Sequence, residues 1–197
     1  MKLILASRSP RRQELLAMTG FPFEVAPSSC DEDEVLHQWQ HTDPVLNECS
    51  LVERLAFAKA QASLREYPDC LILAADTIVS LDGRLFGKPK DKDDARKMLC
   101  TLSGKTHTVD TGVALLTALS ADVFSSVSHV TFHPLTPVTE SLIDRYVATG
   151  LPLDKAGAYG IQELGGLLIS RIEGDFFSVM GLPISEVYQR LTAFDIN

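Results

Sequence analysis

Short continuous apolar runs alternate along this chain with stretches whose apolar residues recur every three or four positions, and the two rhythms divide it into strands and helices. Residues 2–6 are almost continuously apolar and read as a short buried strand. Ser9 then offers an N-cap, Pro10 fits the first helical position, and Gly20 can end the helix that follows. The span 26–44 (APSSCDEDEVLHQWQHTDP) is polar, acidic and irregular, and predicts a loop with a short helix. Beyond it, Ser50 and Glu53 form a capping-box pattern before a helix in which Val52, Leu55, Ala56, Lys59 and Ala62 fall at helical spacing. The run 70–79 predicts a second buried strand, and Asp82-Gly83 predicts a hairpin turn that pairs TIVSL with RLFG. A loop and a helix ending near Gly104 come next, followed by two long strands, HTVDTGVALLTA and VFSSVSHVTF. TPVTESLIDRYVATG predicts a helix burying Leu142, Ile143, Tyr146 and Val147. A glycine-rich loop, DKAGAYGIQELGG, leads to LLISRI, a turn at 173–175, FFSV, and a last helix opening at Pro183. This mixture, with no internal repeat, predicts an α/β protein with a mixed sheet.

A chain of 197 residues is long enough for a real core in one domain, or one domain of two lobes. Its net charge of −8 argues against a general nucleic-acid or membrane-surface binder, so an anionic ligand must meet a local cluster of Lys and Arg. Cys30, Cys49, Cys70 and Cys100 are far apart with no CxxC, which predicts neither a disulfide framework nor a zinc site and suits a reducing compartment. LILA is too short for a signal-peptide core and no apolar run approaches a membrane span, so the expected location is the cytoplasm.

Cations recur beside glycine or proline at SPRR (9–12), GKP (87–89), LSGK (102–105) and DKAGAYG (154–160). Lys59 adds a fifth on a helix face flanked by apolar residues, which should leave it only partly solvated. Each alone reads as an ordinary surface cation. Together, with glycines allowing close backbone approach, they look like pieces of a polyphosphate site, since Arg offers bidentate geometry and Lys a point charge. Arg11 and Arg12 stand on a first helical turn, where the helix dipole disfavours cations by about 0.3–1 kcal/mol. A bound anion would remove that conflict.

Asp76 follows the apolar LILAA, so its carboxylate must be paired, metal-bound or exposed at a strand end, and it is expected at the C-terminal end of that buried strand; a structural turn cap is an equal alternative. Asp31 and Glu32 lie in a DEDE run that alone reads more often as a solvated acidic loop. Hard carboxylate oxygens together with phosphate oxygens suit Mg²⁺, and water activated by such a metal or by Asp76 would attack phosphorus. His37 and His41 have metal spacing if helical, but their loop context favours solvated side chains. His129 and His133 would stand about 13 Å apart on a strand, too far to share one ion. His107, in LSGKTH, either touches phosphate or is structural.

In order, LILASRSPRRQELL, the DE at 31–32, AFAKAQA, AADTIV, GKPKDKDDA, LSGKTHTV, LPLDKAGAYGIQ and GDFFSVMGLPI resemble the Maf family of nucleoside triphosphate pyrophosphatases across nearly the whole chain. The resemblance implies a single domain over residues 1–197, elongated and two-lobed with a central cleft, similar to inosine triphosphate pyrophosphatases and usually a homodimer. It implies cleavage of a nucleoside triphosphate between the α and β phosphates with a divalent cation, Mg²⁺ or Mn²⁺; the acidic charge balance and lack of an apolar span lead to the expectation of no nucleic-acid or membrane partner. Residue by residue, it puts catalytic roles on Asp76, Glu32, Lys59 and Lys88, and metal binding on Glu32 and Asp76. Substrate binding falls on Ser9, Arg11, Arg12, Thr77, Lys155 and Gln162. Arg11 directly after proline, Thr77 after Asp76, and Gln162 closing AYGIQ resemble the subgroup acting on dTTP and UTP rather than the 7-methyl-GTP subgroup. An amide at 162 suits the O4/N3 edge of uracil or thymine. The chain departs from the family pattern at Leu151, where Glu is general, and at Ala75 and Glu163, where Gly is usual. The family is also associated with arrest of cell division, so a nucleotide-binding regulator of septation is the competing expectation. Hydrolysis of inosine or xanthosine triphosphate is a third, and AYGIQ counts against it.

Overall fold

The computed structural model describes residues 1–32, 34–37 and 48–197, so the expectation placed on His41 lies outside the described residues. Among the described residues seven strands form one mixed sheet: β1 (Leu3–Leu5), β2 (Glu24–Val25), β3 (Leu71–Leu81), β4 (Arg84–Phe86), β5 (Thr106–Leu116), β6 (Ala121–Phe132) and β7 (Ile169–Glu173). Their order is β2-β1-β3-β5-β6-β7, with β4 paired to β3. Helices α1 (Pro10–Ala17), α2 (Glu48–Glu66), α3 (Lys92–Leu102), α4 (Pro137–Ala148), α5 (Phe176–Met180) and α6 (Ile184–Leu191) alternate with the strands, as an α/β protein requires. Three short 3₁₀ turns, Leu151–Asp154, Ala156–Ala158 and Leu164–Leu168, shape the glycine-rich segment. The chain divides into two compact units: residues 1–76, 111–126 and 181–197, and residues 77–110 and 127–180.

In the first unit β1 runs parallel to both β2 and β3, with Leu3, Ile4 and Leu5 opposite Leu71, Ile72 and Leu73. Both runs are wholly buried, which is why they are continuously apolar rather than alternating. Helix α2 packs on the sheet through small residues, with Ala56 and Ala60 clustering with Ile4, Ile72, Ala74 and Ala114. The approach is close enough that a Cβ at Gly112 would lie 2.3 Å from the Val52 carbonyl, so only glycine fits on β5 at this point. That packing fixes the height of α2 over the sheet, and with it the height of Lys59.

The second unit has its own core: Val79, Leu81 and Phe86 from the hairpin, Leu99 and Leu102 from α3, Ile143 and Tyr146 from α4, and Val130 and Phe132 from β6. The Asp82-Gly83 turn is as expected, with both residues at positive φ and Leu81 opposite Arg84.

Two expectations need correction. The helix starts by Glu48, which puts Ser50 inside α2 rather than at its cap, and Glu53 accepts a hydrogen bond from Ser125 at 2.6 Å. Asp76 does not end a strand; β3 continues five residues beyond it because TIVSL is β-branched and pairs with β4. FFSV lies within the short helix α5.

Candidate functional site

Helix α1 begins as its sequence suggests. The Ser9 hydroxyl accepts from the Arg12 amide at 3.5 Å, Pro10 occupies the first turn, and no acidic residue lies there. Arg11 and Arg12 are half-buried on that turn, and the Arg12 guanidinium donates from Nε to the Gly181 carbonyl at 2.8 Å. Burial lowers the Arg12 pKa, Asp76 raises it, Arg11 lowers it and Glu32 raises it; the group is a cation throughout. Those opposing influences put Arg12 within electrostatic reach of two carboxylates and a second arginine.

The two carboxylates converge on Lys59. Its Nζ donates to Asp76 Oδ1 at 2.5 Å and lies 3.0 Å from Glu32 Oε1. The Lys59 side chain is 10% exposed and that of Asp76 15%, whereas Glu32 is 55% exposed. A buried ammonium between two acids satisfies the rule that buried charges are paired, and it leaves a cluster with one solvent-facing carboxylate. Asp76 reaches this position because the middle of β3 is only half-buried over residues 76–78 while its two ends are wholly buried.

Sequence reasoning missed the residue that ties the acidic loop to the helix. Ser28 donates to the Lys59 carbonyl at 2.8 Å and accepts from the Cys30 amide at 3.2 Å, so the segment leading to Glu32 is anchored on α2. The PSS triplet at 27–29 is a turn signal but does not announce its partner. Cys30 lies beside this cluster, its thiol pKa raised by burial against an opposing pull from Lys59.

The remaining expected residues belong to the second unit. Thr77 is its first residue and half-buried, and Lys88 is exposed in the GKP loop. Gln162 is exposed and lines a groove of about 420 Å³ with Ile161, Leu167, Ile172 and Phe176. Lys155 differs from the free cation its loop suggests. Its side chain is 4% exposed, and its Nζ contacts the Leu151 carbonyl at 2.6 Å, Asp154 at 2.7 Å and Glu163 at 3.1 Å.

His107 is structural rather than a phosphate contact. It is buried, its Nε2 shares a 2.8 Å hydrogen bond with the Tyr159 hydroxyl, and its ring meets Phe132 and Tyr159 edge-on at 4.9 and 5.5 Å. Burial pushes its pKa down to about 4 from 6.5. The unfolded chain therefore takes up a proton here before the folded one does. This contribution is full above about pH 6.5 and declines as pH falls toward 4, by ~3 kcal/mol in all. Denaturant titrations at pH 7.5 and 4.5 should show His107→Gln losing less stability on acidification than the parent protein. An equal loss would assign the acid sensitivity elsewhere. His129 and His133 are exposed.

Fold and site together define a mixed-sheet α/β protein with arginines on a helix's first turn beside a lysine-bridged pair of carboxylates. The chain belongs to the Maf family: the family model described as Maf-like protein matches residues 2–194. It is similar to a protein of Moorella thermoacetica named dTTP/UTP pyrophosphatase, 48% identical over all of this chain and 96% of that protein. A protein of the same name from Thermosipho africanus is 48% identical over 97% of this chain and 92% of its own length. Another, from Bacillus pumilus, is 45% identical over 100% and 98%. Among the described residues no helix is long and apolar enough to cross a membrane.

Proposed function

We propose that this protein hydrolyses dTTP and UTP to the nucleoside monophosphate and pyrophosphate. The observation that carries the reading is the convergence of Asp76 and Glu32 on Lys59, with Arg12 in electrostatic reach of both acids. A water oxygen bonds to the α phosphorus, the bond from that phosphorus to the bridging oxygen breaks, and pyrophosphate leaves. Asp76 takes the water's proton, and Lys59 keeps that carboxylate oriented in its partly buried position. Arg11, Arg12 and Lys88 supply phosphate-binding charge, and an anion on the first turn of α1 relieves the repulsion of its two arginines. Ser9 caps that turn, Thr77 contacts substrate, and Gln162 reads the base edge.

Glu32 and Asp76 fit a hard divalent cation, Mg²⁺ or Mn²⁺, because both present carboxylate oxygens within 3.0 Å of one ammonium nitrogen. No group of three or more His, Cys, Asp or Glu among the described residues is arranged to hold a metal, so these two acids would share the ion with water and phosphate oxygens. When bound, such an ion neutralises phosphate charge and makes phosphorus more electrophilic. The same reading makes the protein a cytoplasmic homodimer without a nucleic-acid or membrane partner. A septation regulator that binds nucleotide without cleaving it has no need of two acids beside the phosphate-binding cations.

Specificity provides the test. Pyrophosphate release over a panel of nucleotides should favour dTTP and UTP over ATP, GTP and 7-methyl-GTP, and a purine preference would overturn the assignment. Gln162→Glu cannot donate to O4, so it should lower kcat/KM for UTP by about 10–100-fold, the cost of one unpaired polar contact.

A further inference from the structure

The segment that presents Gln162 is closed on itself by side chains that the proposed chemistry does not use. Tyr146, fully buried on α4, accepts a hydrogen bond from the Gly160 amide at 3.0 Å and donates its own proton to Glu163 Oε2 at 3.0 Å. The other Glu163 oxygen lies 3.1 Å from Lys155 Nζ, the same ammonium that holds the Leu151 carbonyl and Asp154. The ammonium thus donates to the Leu151 carbonyl and Asp154 and is ion-paired with Glu163, so its charge is met within the turn. Lys155 and Glu163 therefore clasp the two ends of the turn 155–163, and Tyr146 pins both its middle and its far end to α4. The interior is filled as well, since a Cβ at Gly160 would come within 2.7 Å of Lys155 Cε. Gln162 is the exposed residue immediately before the clasp, so its backbone can move little without breaking an ion pair and a hydrogen bond.

We infer that Glu163 is a positioning residue for base selectivity: by clasping Lys155 and Tyr146 it fixes the turn that aims the Gln162 amide. Lys155 then serves the turn and not the phosphates. The inference rests on the proposed role of Gln162, and it adds that an amide can discriminate donor from acceptor edges only if its own orientation is held.

The test compares the full-length protein with Glu163→Gln, which keeps shape and loses charge, and with Glu163→Ala. Both are read with UTP and CTP, whose bases differ at the edge an amide would meet. Loosening the turn should raise KM for UTP about tenfold with little change in kcat, because uniform binding is lost and the reacting groups are untouched. The UTP-to-CTP ratio of kcat/KM should shrink, more for Ala than for Gln. Tyr146→Phe should move both quantities in the same direction. Acylation of lysines by an amine-reactive reagent, followed by peptide mass spectrometry, reads the clasp without nucleotide. Lys155 should be protected relative to the exposed Lys88 in the parent protein and become reactive in Glu163→Ala. Lys155 labelled as fast as Lys88 in the parent would overturn the clasp, and an unchanged UTP-to-CTP ratio with Lys155 unmasked would overturn the positioning role. Failure of the parent protein to release pyrophosphate from UTP is a separate result; it sinks the pyrophosphatase reading, and the selectivity role with it.

Discussion

Asp76→Asn should abolish nearly all turnover, by about 10²–10⁴-fold, the usual worth of a positioned general base. The substitution preserves the shape of the side chain and an oxygen that can still accept from Lys59, now 2.5 Å from the carboxylate. What it removes is the capacity to take a proton and the negative charge. The site is half-buried in mid-strand between wholly buried ends, so the backbone has no reason to rearrange. Replacing an ion-paired hydrogen bond by one from the Lys59 ammonium to a neutral amide oxygen should cost about 1–3 kcal/mol of stability, and the protein should remain folded at 25 °C. Turnover at saturating nucleotide and metal, with circular dichroism to establish folding, checks both parts. Near-normal turnover would reduce Asp76 to a structural partner of Lys59 and shift attention to Glu32 and Asp31.

Lys59→Met should give the second largest effect, and a split one. Methionine keeps most of the apolar stem packed under α2 and deletes the ammonium that sits 2.5 Å from Asp76 and 3.0 Å from Glu32. Two converging carboxylates without a cation repel, and Asp76 loses the group that orients it. Turnover should fall by about 10²–10³-fold, comparable to loss of one preorganised electrostatic partner. Metal binding should move the other way, because the ammonium no longer competes for the same oxygens. Titration calorimetry with Mn²⁺ in the absence of nucleotide should show tighter binding than in the parent protein. Weaker binding together with undiminished turnover would mean that Lys59 only fills space.

Much of this was legible in the residues because local patterns report local structure. The apolar runs at 2–6 and 70–79, the Asp82-Gly83 turn, the capped start of α1 and the stripe of α4 all appear as periodicity or turn chemistry, and the structure has them. Ser50 and Glu53 misled because S-x-x-E also occurs inside helices, where nothing local distinguishes it from a cap. Asp76 looked like a strand end because polarity interrupts an apolar run; partial exposure in the middle of one long strand has the same signature.

Contacts between distant residues were less legible. Lys59 could be suspected from its place on an apolar face, but its two acids lie 27 residues before it and 17 after it, and only the fold of the first unit joins them. Lys155 reads as a loop cation; the Leu151 carbonyl that accepts from it and the Glu163 that pairs with it carry no mark of that role in the sequence. Helical spacing marks Tyr146 as a core residue, while its hydroxyl, which organises the neighbouring turn, leaves no periodic trace.

The most direct measurement is hydrolysis of UTP in heavy-oxygen water, with products separated and weighed by mass spectrometry. Attack at the α phosphorus puts the heavy oxygen in UMP and leaves the released pyrophosphate unlabelled. Label in pyrophosphate, or release of orthophosphate with UDP, would contradict the account.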